Sequence, residues 1–285
     1  MKKRIKHLLI GILSFLVIVI TMGIIPACTS RSSSSSDNPS DLDTNPETKS
    51  GPKLVAHRGY SHAYLENTET AFRAAAELSF YGIETDLHKT KDGHYVCSHN
   101  PTVKYANGAE KKIADFDRAE LVSQPLKNVV TEKEEFLCTF EDYLRACKAG
   151  NKVAVIELKV EKNDPTFLFK KDILEILDIV DEEYDRRNVC FISFSYTPLW
   201  LLKSVDSSIE TQYLSQTEND EKFDRCLEDG ISIDVKQTIL TQELVDTFHS
   251  AGLLVNVWTV DERSDIESVT KMGVDYITTN VFYED

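Results

Sequence analysis

From Lys53 onward the chain alternates short β-branched or apolar runs with longer stretches of helical pattern. The strand candidates are LVAHRG (54–59), GIETDLH (82–88), HYVCSH (94–99), VAVIELK (153–159) and CFISFS (190–195), then TQYLS (211–215), SIDVK (232–236), LLVNVWTV (253–260) and DYITTN (275–280). Helical patterns fill most intervals, at 68–80, 139–149, 166–185, 197–204, 218–228, 241–251 and 262–272. The stretch TFEDYLRACKAG opens on a Thr139 N-cap and closes on Gly150. Such alternation predicts a parallel sheet with crossover helices.

One junction breaks the rule. Only Lys89–Gly93, KTKDG, separates the second and third candidates, and a parallel crossover needs a dozen or more residues, so that pair must be antiparallel. A two-residue turn at Asp92-Gly93, both at positive φ, pairs Lys91 with His94 and carries the register to Asp86 opposite His99. With the hairpin strand set aside, eight strands remain, which predicts an α/β fold of the (β/α)8 (TIM-barrel) type with a small hairpin and loop insertion after strand two. Residues 100–138 become an irregular insertion, a candidate lid over the mouth.

The barrel does not account for the N-terminus. Residues 1–7 are basic and Leu8–Ile25 is almost unbroken apolar sequence, followed by Ile25-Pro26-Ala27-Cys28. A basic head, an apolar run and a small residue before the break are the pattern of an export signal. IPAC resembles the lipobox of bacterial lipoproteins, which implies cleavage after residue 27, a lipid on Cys28 and anchoring at the outer face of a bacterial cell membrane. The alternative is an uncleaved N-terminal anchor, since about 18 apolar residues can just span a bilayer. Both export the domain. Residues 28–52, rich in Ser and poor in anything to bury, are expected to be a disordered tether, leaving 53–285 as one barrel domain. The formal charge is −15, and removal of residues 1–27 takes away four basic residues and no acidic one. A surface that acidic argues against nucleic acid as a partner. The five cysteines past Cys28 are odd in number and have no CxxC spacing, so neither a disulfide framework nor a zinc site is expected.

In such a barrel the chemistry sits where strands end at the C-terminal mouth. Strand one ends in His57-Arg58-Gly59, strand two carries Glu84-Thr85-Asp86, and VAVIELK ends in Glu157-Leu158-Lys159. Glu84 and Asp86 alternate onto one strand face, as do Glu157 and Lys159. Three carboxylates meeting in one mouth call for a hard divalent cation, Mg²⁺ or Ca²⁺. His57 and His99 are the candidate acid–base pair because imidazole titrates near neutrality. His62, His88, His94 and His249 are assigned to structural hydrogen bonding. Arg58 offers a planar fork to a phosphate, and Gly59 leaves room for the turn out of the strand, against a ligand. A metal, two histidines, an arginine and a lysine read together as a site for phosphodiester cleavage.

HRG (57–59), ENT (66–68), ETD (84–86), TKDG (90–93), SH (98–99), ELK (157–159) and VWTVD (257–261), in that order, resemble the glycerophosphodiester phosphodiesterase family from about Lys53 to Asn280. The resemblance implies a metal-dependent barrel that hydrolyses small glycerophosphodiesters to glycerol 3-phosphate and an alcohol. It assigns Glu84, Asp86 and Glu157 to one divalent cation and His57 and His99 to catalysis. Arg58 and Lys159 become phosphate contacts, and Trp258 an aromatic wall near the glycerol. Asn67 and Thr68 compete with this as helix N-caps and stay outside the set. Leu65 stands where the family usually has Pro, and Asn100 and Asn280 where it usually has Asp; Asn100 removes a charge expected to tune His99. Two other readings compete: a phospholipase D-like activity on lysophospholipids or sphingolipids, and a catalytically silent surface binding lipoprotein.

Overall fold

The structure, a computed structural model, describes residues 51–160 and 170–283. The export signal, Cys28 and all but the last two residues of the tether lie outside the described residues. Among those described, no helix is long and apolar enough to cross a membrane.

Eight parallel strands close into a barrel: β1 (Lys53–Ala56), β2 (Gly82–Lys89), β6 (Val153–Leu158), β7 (Val189–Ser193), β8 (Glu210–Ser215), β9 (Ser232–Lys236), β10 (Val255–Trp258) and β11 (Tyr276–Thr279). Closure comes from β1, which pairs with both β2 and β11. The helices α1 (Glu69–Glu77), α3 (Phe140–Gly150), α4 (Lys170–Glu183), α5 (Tyr196–Val205), α6 (Phe223–Asp229), α7 (Gln242–Ser250) and α8 (Arg263–Lys271) follow in turn. Strand alternation sorts the core into two shells. Outward residues such as Ile83, Leu87, Ile156, Phe191, Ile233 and Val257 pack with the helices, while Val55, Val155, Cys190, Ile192, Leu214 and Tyr276 fill the barrel interior. Each such side chain contributes about 1.5–3 kcal/mol on burial.

Two glycines let the layers close up. A Cβ on Gly59 would stand 2.8 Å from the Ala71 carbonyl carbon of α1, and one on Gly150 would stand 2.7 Å from Ala76. Gly59 is therefore required by helix packing, which corrects the expectation that it faces a ligand. Gly150 is likewise the last residue of α3, and the left-handed cap falls on Asn151 at φ 52°.

The hairpin is also corrected. The strand β3 (Tyr95–Cys97) pairs antiparallel to β2 with Leu87 opposite Cys97 and Lys89 opposite Tyr95. Only Gly93 takes positive φ at the turn (83°), Thr90 N–H donates to the His94 carbonyl, and Gly93 N–H donates to the Thr90 carbonyl. The loop is thus three residues with a bulge at its glycine, and the register shifts by one from that of a two-residue turn. Ser98, not His99, lies across from Asp86, its N–H on the Asp86 carbonyl at 2.9 Å.

The insertion is not irregular. It holds a hairpin, β4 (Thr102–Lys104) and β5 (Glu110–Lys112), and a short helix, α2 (Arg118–Leu121). Val96, Val103, Tyr105, Ile113, Leu121 and Leu137 form a small core of their own. The five cysteines Cys97, Cys138, Cys147, Cys190 and Cys226 are buried free thiols.

Candidate active site

The site grows from the place where β1 stops. Arg58 (φ 56°) and Gly59 (φ 80°) are both left-handed, so the strand cannot continue, and a non-glycine residue in that region costs about 1–2 kcal/mol. The twist turns the Arg58 N–H onto Glu84 Oε2 at 2.8 Å. The side chain then reaches Glu66 Oε2 through Nη1 (2.8 Å) and lies 3.4 Å from Asp86 Oδ2 through Nε.

On β2, Glu84 and Asp86 alternate into the barrel, and pairing with β6 sets Asp86 directly beside Glu157. All three acids are buried, and one oxygen of each lies within 4.8 Å of the others. Lys159 Nζ sits between two of them, 2.9 Å from Asp86 Oδ1 and 2.9 Å from Glu157 Oε1. Burial, then repulsion from Asp86, pushes the Glu84 carboxyl well above the usual range. Burial pushes Glu157 up to about 7, against the pull of Lys159. Asp86 instead stays low: Lys159 and Arg58 outweigh the cost of its burial. Three buried carboxyls, two of them driven toward protonation, fit a hard, oxygen-preferring divalent cation, which would relieve the repulsion they impose on one another.

Asn67, left aside in the sequence, belongs to this cluster. It adopts φ 56° and donates from Nδ2 to Asp86 Oδ2 at 2.8 Å, while its Oδ1 accepts from Thr85 Oγ1 at 2.7 Å. It orients an acid, whereas Thr68 is the N-cap, accepting from Ala71 N–H at 3.3 Å. The signal was the ENT triplet, which capping alone also explained.

His57 is fixed from behind. Its Nδ1 lies 2.8 Å from Asn280 Oδ1, the Asn280 amide donates to Asp261 Oδ2 at 2.7 Å, and the Asn280 N–H donates to Asp261 Oδ1 at 2.8 Å. With the Asn280 amide nitrogen donating to Asp261 and its oxygen accepting from Ser61 Oγ at 2.9 Å, the carbonyl oxygen faces His57. His57 then carries its proton on Nδ1 and turns Nε2 to the cleft. Burial, followed by Arg58, lowers its pKa, and the hydrogen bond to the neutral Asn280 amide is the main pull the other way without reversing it. Replacing Asn280 with Asp would put a carboxylate there and stabilise the imidazolium. The limb of the pH–rate profile governed by His57 is therefore expected to move to higher pH in Asn280→Asp; an unmoved profile would remove His57 from that limb.

His99 enters from the chain just beyond β3. It is half-buried, and burial with Arg58 lowers its pKa. Asn100 is exposed and meets Ser98 Oγ through its backbone carbonyl at 2.8 Å. His88 lies on the same β2 face as Asp86, its ring hydrogen-bonded to the His99 backbone and its pKa pushed down to about 4, chiefly by burial. His249 is held by Asp275 at 2.8 Å, and His62 is exposed.

These groups share a cleft of about 260 Å³ that includes His57, Arg58, Glu84, His99, Glu157 and Lys159. Its far wall is Trp258 with Phe194, edge to face at 5.7 Å between centroids. Phe194 follows β7 and carried no distinguishing signal in the sequence. The arrangement puts an anion-binding half beside an apolar half, with one imidazole just past the end of β1 and another just past the end of β3.

A model of the glycerophosphoryl diester phosphodiesterase family matches residues 57–282. A glycerophosphodiester phosphodiesterase of Caldanaerobacter subterraneus subsp. tengcongensis is 29% identical over 231 residues, covering 80% of this chain and 93% of that protein. Among solved structures, a glycerophosphodiester phosphodiesterase from Parabacteroides distasonis superposes with a TM-score of 0.67 at 26% identity, covering 81% of this chain and 93% of the other. An Oleispira antarctica phosphodiesterase, solved with its product sn-glycerol-3-phosphate, superposes with a TM-score of 0.70 at 19% identity, covering 81% and 93%.

Proposed function

Because the chain belongs to the glycerophosphoryl diester phosphodiesterase family, we propose that it hydrolyses glycerophosphodiesters to glycerol 3-phosphate and an alcohol in this cleft. The observation that carries the reading is the buried Glu84–Asp86–Glu157 cluster facing two imidazoles and two cations. Glu84, Asp86 and Glu157 would hold one divalent cation, Mg²⁺ or Ca²⁺, which when bound supplies Lewis-acid polarisation of a phosphoryl oxygen. Arg58 and Lys159 offset the remaining phosphate charge. His57, its Nδ1 proton committed to Asn280, presents Nε2 to take a proton from the attacking water. His99, which lines the same cleft, gives a proton to the leaving alkoxide. The P–O bond to the alcohol breaks as the new P–O bond forms, and the two histidines end with exchanged protonation states. Trp258 and Phe194 exclude water from the far side.

The export signal and IPAC segment support placing this domain at the outer face of a bacterial membrane through a lipid on Cys28. Metabolic labelling with a radioactive fatty acid should mark the wild type and not Cys28→Ala, and labelling that survives in the variant would remove the lipid from Cys28. The direct test of substrate class compares glycerophosphocholine with intact lysophosphatidylcholine. Faster turnover of the deacylated diester is expected, and preference for the lysolipid would replace this reading with the phospholipase D-like one. The filled catalytic set argues against a silent binding protein.

A further inference from the structure

Among the described residues that line the cleft, one buried carboxyl, Asp234, is not used by the mechanism. Asp234 lies on β9 between Ile233 and Val235, both packed in the outer shell, so alternation turns its side chain into the barrel. It is 1% exposed, and its Oδ1 is buried without a hydrogen-bond partner. The strand neighbours do not serve it. Leu214, level with it on β8, is apolar. Asn256, level with it on β10, gives its amide to Gln212 Oε1 at 3.2 Å and Thr278 Oγ1 at 3.1 Å. A buried acid left in this way costs about 1–3 kcal/mol or more, a cost that a fold has no structural reason to keep.

Asp234 lines the same cleft as His57 and Glu157, but in its apolar half, among Ile192, Phe194, Leu214 and Trp258. Trp258 is fixed over it, with the indole N–H on the Asp234 backbone carbonyl at 3.1 Å. The phosphate belongs with Arg58 and Lys159, so the organic group that stays on the phosphate faces this wall. We propose that Asp234 is a specificity-determining residue that hydrogen-bonds a hydroxyl of the polyol retained on the phosphate, so that the apolar wall accepts a polyol and discriminates against alkyl groups. The inference rests on the proposed diesterase reading and extends it to the part of the substrate that is not released. Burial and Glu157 hold this carboxyl above its ordinary range, which suits a neutral hydroxyl better than a cation.

The test uses two diesters with one leaving group, glyceryl p-nitrophenyl phosphate and methyl p-nitrophenyl phosphate, on the full exported domain with divalent cation present. Asp234→Leu matches the side chain already found at Leu214 and removes an unpartnered polar group, so it should melt at or above the wild type. It is expected to lose at least ~100-fold of kcat/KM on the glyceryl ester, chiefly through KM, and less than ~3-fold on the methyl ester. Asp234→Asn keeps an acceptor oxygen and should lose less than ~10-fold on the glyceryl ester. If Asp234→Leu does not fold, Asp234→Ala is measured against the same pair. A glyceryl preference that survives in the apolar variant, or an equal loss on both esters, would overturn the inference. A wild type without any glyceryl preference would overturn it as well, whereas a wild type that cleaves neither ester would instead refute the diesterase reading on which it rests.

Discussion

Alanine at His57 or at His99 is expected to lower kcat on a glycerophosphodiester by roughly 10²–10⁴-fold while the barrel stays folded. Neither ring is part of the apolar core, and His57 gives up one side-chain hydrogen bond, to Asn280, so the stability cost should be near ~1 kcal/mol. In the proposed mechanism the pair acts as a unit, one imidazole taking the proton of the nucleophile and the other protonating the leaving alkoxide. The double variant should therefore fall little below the worse single one. Steady-state kinetics beside thermal denaturation separates chemistry from folding. A single variant with near-normal kcat would remove that histidine from the acid–base role.

The second large effect concerns the acid cluster. Glu84→Gln or Glu157→Gln keeps the side-chain shape and removes one of three negative charges that lie within reach of one ion. The concentration of Mg²⁺ or Ca²⁺ giving half-maximal activity is expected to rise at least ~10-fold, in the range found when one ligand of a metal site is weakened. Without added cation the same variants should gain stability. Glu84 and Glu157 are buried, and both are pushed toward protonation by burial and by Asp86, so each replacement removes a repulsion. Calorimetric titration with the cation and melting in its absence read the two signs independently. A cation requirement unchanged in both variants would contradict the assignment of this cluster as the metal site.

The fold was legible because eight strands and their helices each leave a local trace, and because KTKDG is too short for a crossover. Bounds moved mainly at strand ends: LVAHRG loses its last three residues to left-handed turns at Arg58 and Gly59. The hairpin register was not legible, since it depends on whether Asp92 joins Gly93 at positive φ, and only the glycine does. The acids and Lys159 could be placed together because a two-residue period puts i and i+2 on one face. What sequence could not show were contacts set by tertiary distance. Asn280 meets His57 across 223 residues of chain, and Asn67, which reads as a cap, holds Asp86. Asp234 sits in a strand that reads as ordinary alternation until its neighbours are known to be committed elsewhere.

The most direct measurement is product identification. Purified protein, stripped with EDTA, is incubated with glycerophosphocholine, and phosphorus NMR with a coupled glycerol 3-phosphate assay follows the products before and after Mg²⁺ or Ca²⁺ is restored. The account predicts no turnover in the stripped protein and stoichiometric glycerol 3-phosphate and choline once the cation returns. Phosphocholine as the product, or full turnover in rigorously cation-free buffer, would contradict it.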